Sequence, residues 1–242
     1  MTFIQAEVFG GGGGGTANYL DTTYDPVALY LLDDSLADSS ASNLPNLTVN
    51  GNENWTDVGY GLRGFELDGS SQVYLSSAES EVQITGNLTI EMILRVSSIN
   101  ASASPLVIYC AASGEEEVNN SVYQIALLQN TNQLQYFCEY GAGVNVSYNA
   151  NAGIGTGAAA VLLAMVRSSG NVTFYANGVQ IGDTSVGLTT ASGGSNATLK
   201  IGHANIDGGA ICSVKILDVA LSADQIKAEY NLSLGPVVGE LP

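Results

Sequence analysis

Short β-type runs recur along almost the whole chain, separated by Gly, Ser, Thr and Asn turns, with no long helical period between them. They fall at 27–32, 64–67, 73–75, 88–96, 106–110, 122–128, 134–140, 161–167, 172–176, 179–181, 199–201 and 210–218. Runs this short each expose one face that must be buried against another sheet. The pattern therefore predicts an all-β sandwich of antiparallel sheets rather than βαβ units. A length of 242 residues suffices for one such domain with a full core.

Two local signals are sharper. In VTFYANGVQIG the pair Asn177-Gly178 sits between β-rich runs. Both residues tolerate positive φ, so they predict a type I′ hairpin turn whose twist suits the paired strands. In LSADQIKAEY the spacing of Ser222 and Gln225 predicts a capping box at the start of a short helix. Ile226 and Tyr230, four residues apart, then share one helix face.

The order of the pieces resembles the laminin-G-like group of the concanavalin A-like lectin/glucanase superfamily, of the kind found in phage structural proteins. The matching segments are VALYLLDDS at 27–35, GLRGFELDGSSQVYL at 61–75 and GNLTIEMILRVSS at 86–98. They continue with VLLAMVRSSGNVTFYANGVQIG at 161–182 and LKIGHANIDGGAICSVKILDVALSADQIKAEYN at 199–231. The resemblance implies a jelly-roll sandwich of two antiparallel sheets with one short C-terminal helix. The expected organisation is an arm at 1–24, the sandwich at 25–232 and a tail at 233–242. Ile93 stands where the family often has an aromatic, and Ala164-Met165 where a His commonly precedes the strand core. These departures weaken the transfer of any particular ligand site.

Residues 3–9 read as one strand, and six consecutive glycines follow at 10–15. Such a run is a flexible arm or a packed glycine sheet. Phe3, Phe9, Gly10, Gly13 and Gly15 are the candidate partner-binding residues of this arm. The chain carries 23 acidic against 6 basic residues, a net charge of −17. That surface repels phosphate backbones and anionic lipid, which argues against nucleic acid and bare membrane as partners. No stretch is long and apolar enough for a membrane span, and the N-terminus lacks a secretory pattern. Cys110, Cys138 and Cys212 lie in apolar runs and read as buried thiols, although one disulfide with a leftover thiol stays open.

Catalytic patterns are incomplete. In glucanases of the resembling superfamily an E-x-D-x-x-E strand supplies nucleophile and acid. Here the nearest match is Glu66-Leu67-Asp68-Gly69-Ser70-Ser71, with Ser71 in the third position, so the carboxylate pair is broken. His203 is the only histidine and has no nucleophile elbow beside it. The chain is therefore expected not to be an enzyme and to require no cofactor. Asp33, Asp68 and Asp207 are candidate ligands for a Ca²⁺ ion, weighed against their use as turn residues, which the pattern favours. Trp55, Tyr60, Tyr140 and Tyr148 are candidate glycan contacts, since sugar rings stack on exposed aromatics.

The expected function is a virion structural protein: a phage capsid decoration or tail fibre subunit on the virion surface. It would be anchored by its arm to other virion proteins or to its own copies as an oligomer. The alternative is a glycan-binding lectin module, with or without the help of Ca²⁺, acting in adhesion at a cell surface or outside the cell.

Overall fold

A computed structural model describes residues 17–68, 74–96, 98–99, 106–112, 121–128, 133–140, 144–151, 160–185, 197–202, 206–239 and 241. Sixteen strands are defined among these: β1 (Ala28–Leu31), β2 (Thr48–Asn50), β3 (Trp55–Gly59), β4 (Leu62–Asp68), β5 (Tyr74–Ser77), β6 (Leu88–Arg95), β7 (Ser98–Ile99) and β8 (Leu106–Ala112). They continue as β9 (Ser121–Leu128), β10 (Gln133–Tyr140), β11 (Val144–Asn151), β12 (Val161–Ser168), β13 (Asn171–Ala176), β14 (Val179–Ser185), β15 (Ala197–Ile201) and β16 (Ile206–Leu217). Two helices close the chain, α1 (Ala223–Ser233) and α2 (Gly235–Val238).

The strands form two sheets. One runs β14-β13-β12-β6-β16-β4-β3, with β1 and β7 also paired to β16; the other runs β11-β10-β9-β8-β15-β5-β2. Every pairing among them is antiparallel. The expected sandwich is thus what the chain forms. At twelve residues, β16 is long enough to hold β4 and then β1 along one side, and β7 and then β6 along the other.

Alternation along β6 shows why some runs look continuously apolar. Leu88, Ile90, Met92 and Leu94 face the other sheet in the main core. Ile93 points to the opposite face, where a second cluster joins it to Ala17, Leu20, Leu62, Cys212, Tyr230 and Leu234. A strand buried on both faces loses the polar half of its period. That outer face of the nine-stranded sheet is closed by α1 and by residues 17–25. The N–H of Asn18 donates to Ser233 O (2.9 Å) and its side chain to Leu232 O (3.0 Å). Thr89 Oγ1 on β6 donates to Val219 O and accepts from Leu221 N, which fixes the loop entering α1.

The capping box forms as its spacing predicts: Gln225 N–H donates to Ser222 Oγ, and Ser222 N–H to Gln225 Oε1. Ile226 and Tyr230 are buried on the sheet. Replacing Ser222 with Ala should cost about 1 kcal/mol of stability, read as a lower thermal midpoint with an unchanged β-sheet spectrum. Asn177 and Gly178 both take positive φ, 49° and 76°, at the β13–β14 turn. A Cβ on Gly178 would also meet Tyr230 Cβ at 3.0 Å and Leu241 Cδ1 at 2.9 Å, so the hairpin rests on the C-terminal segment. One detail differs from expectation: the segment read as a tail contains α2, begun by Pro236 in its first turn, where a fixed φ and a missing N–H do no harm.

One buried and one half-buried charge anchor the sheets and the loop after β1. Arg167 on β12 points into the main core and is 3% exposed. It donates to Ile84 O (2.6 Å), Gly86 O (2.8 Å), Val122 O (3.3 Å) and Tyr136 Oη (2.6 Å), tying the two sheets together. Asp38 pins the loop after β1, accepting from the N–H groups of Leu29, Ser40 and Leu44 and from Ser40 Oγ. Cys110, Cys138 and Cys212 are free and buried, and burial pushes the Cys110 and Cys212 thiols up to about 12, which keeps them protonated and unreactive.

Candidate ligand-binding ledge at the β3–β4 hairpin

The β3–β4 turn is built from Gly59-Tyr60-Gly61, with φ of 89°, 58° and 81°. Three successive left-handed residues reverse the chain tightly, and the middle one is a bulky aromatic, for which this region is costly. Tyr60 is 41% exposed. The turn is held from both ends: Gly59 N–H donates to Asp57 Oδ1 (2.7 Å), and Ala17 N–H to Tyr60 O (3.1 Å).

Beside Tyr60 the hairpin carries polar groups. Tyr19 Oη accepts from Arg63 N–H (2.7 Å) and donates to Arg63 O (3.0 Å). The Arg63 guanidinium lies 3.0 Å from Asp34, and both side chains are about half exposed. Asp34 is itself left-handed, at φ 65°. Burial raises the Asp33 carboxyl above its ordinary value, with the Asp34 charge adding to it. Burial likewise pushes the Tyr19 hydroxyl up to about 12. The hairpin and the loop after β1 thus offer, as a ledge, an exposed ring at the tip and an ion-paired guanidinium and carboxylate three residues on, groups of the kinds that stack an apolar face and exchange hydrogen bonds with hydroxyls.

The sequence candidates separate in the structure. Tyr60 is exposed at the tip of the β3–β4 hairpin, and Asp33 lies in the loop after β1. Trp55 is half-buried instead: its ring packs edge-on against Phe65 (5.7 Å, 83°) and its Nε1 donates to Glu53 Oε1 (2.9 Å). Tyr140 and Tyr148 lie on β10 and β11 of the other sheet, where Tyr148 is the register partner of the buried Tyr136. Asp68 and Asp207 are cross-strand partners on β4 and β16, away from the loop after β1 that carries Asp33. Among the described residues no group of three or more His, Cys, Asp or Glu side chains gathers. Phe3, Phe9, Gly10, Gly13, Gly15, Ser71 and His203 lie outside the described residues.

Tyr19 and Arg63 escaped the sequence reading. Nothing in sequence brings position 19 to position 63; a Gly-Tyr-Gly tip between β-runs was the only local signal. A separate hollow of about 340 Å³, lined by Asp25, Pro26, Val27, Ala41, Ser42 and Asp218, has no aromatic in its wall. Among the described residues no helix is long and apolar enough to cross a membrane.

A laminin G-type family model, described as the concanavalin A-like lectin/glucanases superfamily, matches residues 67–227. No curated protein sequence matches the chain. Among solved structures, the Botulinum neurotoxin serotype G binding domain aligns at 14% identity and a TM-score of 0.64, covering 85% of this chain and 50% of that one. The binding domain of Paraclostridial Mosquitocidal Protein 1 aligns at 15% and 0.63, covering 84% and 51%. The Botulinum neurotoxin DC binding domain in complex with SialylT aligns at 17% and 0.64, covering 87% and 52%. The chain spans about half the length of these solved chains, and the likeness is one of fold.

Proposed function

Because the chain belongs to the concanavalin A-like lectin/glucanases superfamily, we propose that it is a non-catalytic recognition module that holds a glycan on the β3–β4 ledge. The observation that carries this is Tyr60, an exposed ring kept in a strained backbone conformation by glycines on both sides. Strain of this kind persists where the surroundings impose it, and it clusters at binding sites. A sugar ring would stack on Tyr60, while Arg63 donates to its hydroxyls and Asp34 accepts from them. The Arg63–Asp34 pair is solvent-exposed and worth little by itself, so a ligand can reshape it cheaply. The SialylT complex of the Botulinum neurotoxin DC binding domain supports a carbohydrate as the ligand class. The broken carboxylate pattern around Glu66 and Asp68 argues against hydrolysis of what is bound.

A glycan screen of the intact protein and of Tyr60→Ala tests this. The wild type should give specific hits that the variant loses by tenfold or more in affinity while keeping its thermal midpoint. No hits in either protein, or equal hits in both, would remove the ledge as the site.

A second reading makes the same module a subunit on a virion surface, as a phage capsid decoration or fibre protein. The anchored start of the described chain favours it. The N–H groups of Ala17 and Asn18 are both hydrogen-bonded to the body, so the described chain starts from a fixed point. In this reading Phe3, Phe9 and the glycines at 10–15 attach the module to other virion proteins or to a second copy. Removing residues 1–15 should then abolish particle association and leave glycan binding intact.

A further inference from the structure

Beneath α1 the outer face of the nine-stranded sheet buries a charged cluster that neither reading above uses. Lys215 on β16 and Glu91 on β6 are cross-strand partners with no exposed surface. Glu229 reaches down from α1 and is 2% exposed. Lys215 Nζ lies 3.0 Å from Glu229 Oε1, 3.6 Å from Glu91 Oε2 and 4.0 Å from Asp21 Oδ1, and 5.5 Å from the centre of the Tyr24 ring. Neither Glu91 oxygen has a hydrogen-bond partner among the described residues. Ala164, the partner of Glu91 on β12, brings no charge.

The charges do not balance. One buried cation faces two buried carboxylates and a third at the rim, and an uncompensated charge in a dry site is expensive. A single proton between the two glutamates removes the excess. The cluster also joins both segments that close this face, since Asp21 and Tyr24 belong to residues 17–25 and Glu229 to α1.

We propose that this cluster is a proton-linked clasp: closed, it holds one proton on one of its two buried glutamates, Glu91 or Glu229, and losing that proton releases α1 together with residues 17–25. Burial pushes the Glu91 carboxyl up to about 8, with the Glu229 charge adding and Lys215 opposing. Burial raises Glu229 too. In the open state both carboxyls return toward their ordinary value of 4.5. The clasp therefore takes up a proton on closing. This stabilisation is complete below the open-state value and is lost as pH climbs through about 8. Within that window the opening constant rises about tenfold per pH unit. Opening uncovers Leu29, Leu62, Ile93 and Cys212 and releases residues 17–25 from the sheet, so proton loss would expose an apolar face of the module.

Amide hydrogen exchange of the full chain between pH 5.5 and 9, corrected for the intrinsic rate, tests the clasp. Protection at 223–233 should fall about tenfold per pH unit toward pH 8 and then level off, while amides of β12 hold steady. Glu91→Gln should flatten that slope. A flat wild-type profile would overturn the proposal, and so would an equal slope in β12, which signals global unfolding. An unchanged slope in both Glu91→Gln and Glu229→Gln would do the same.

Discussion

Replacing Arg167 with Met should cost the fold about 3–5 kcal/mol, one of the two largest effects expected of a single side chain here. The guanidinium serves the carbonyls of Ile84, Gly86 and Val122 and the hydroxyl of Tyr136. Methionine fills much of the volume and donates nothing, so four acceptors lose their partner between the sheets. Each such loss costs roughly 1 kcal/mol or more. Urea unfolding should show a lower midpoint at an unchanged slope, because the surface exposed on unfolding stays the same. A loss below about 1 kcal/mol would mean that water reaches these carbonyls, and the sheet-to-sheet tie would be disproved.

Lys215→Met should be comparably damaging at neutral pH, about 3–5 kcal/mol, for a different reason. The variant leaves Glu91 and Glu229 facing each other without a cation. The damage should shrink on acidification, since protonating both carboxylates removes the repulsion and makes the methionine an ordinary packing residue. Unfolding measured at pH 5 and pH 8 checks this: the wild type–variant gap should be wider at pH 8. A gap independent of pH would assign the loss to packing alone.

Much of the fold is legible in the sequence because it rests on local chemistry. Asn177-Gly178 and the Ser222–Gln225 spacing each specify their turn or cap within four residues, and both form as read. The β-runs were visible because apolar residues mark them whichever sheet they join. The order of strands within the sheets was not, since β16 collects β1, β4, β6 and β7 from distant parts of the chain.

The ledge was legible only in part. Tyr60 and Trp55 are alike candidates as aromatics in turn-rich sequence, and only the packing of Trp55 on Phe65 tells them apart. An aromatic in a turn-rich segment carries no sign of whether its ring faces water or a neighbour. Arg63 and Tyr19 are joined by hydrogen bonds across 44 positions, and no local spacing encodes such a contact. The buried cluster leaves a trace in the sequence: Glu91 and Lys215 are the lone charges in the mostly apolar runs LTIEMIL and AICSVKIL. A lone charge in such a run points to a buried partner, but not to which one.

In the proposed function the β3–β4 ledge is where the module meets its ligand. Amide chemical shifts of the labelled protein, followed while a screened glycan is titrated in, test it most directly. The account predicts shifts confined to Tyr60, Gly61 and Arg63, with Asp33 and Asp34 moving alongside them and Tyr60→Ala erasing the pattern. Shifts centred instead on β9, β10 and β15 of the opposite sheet, with the ledge unmoved, would contradict it.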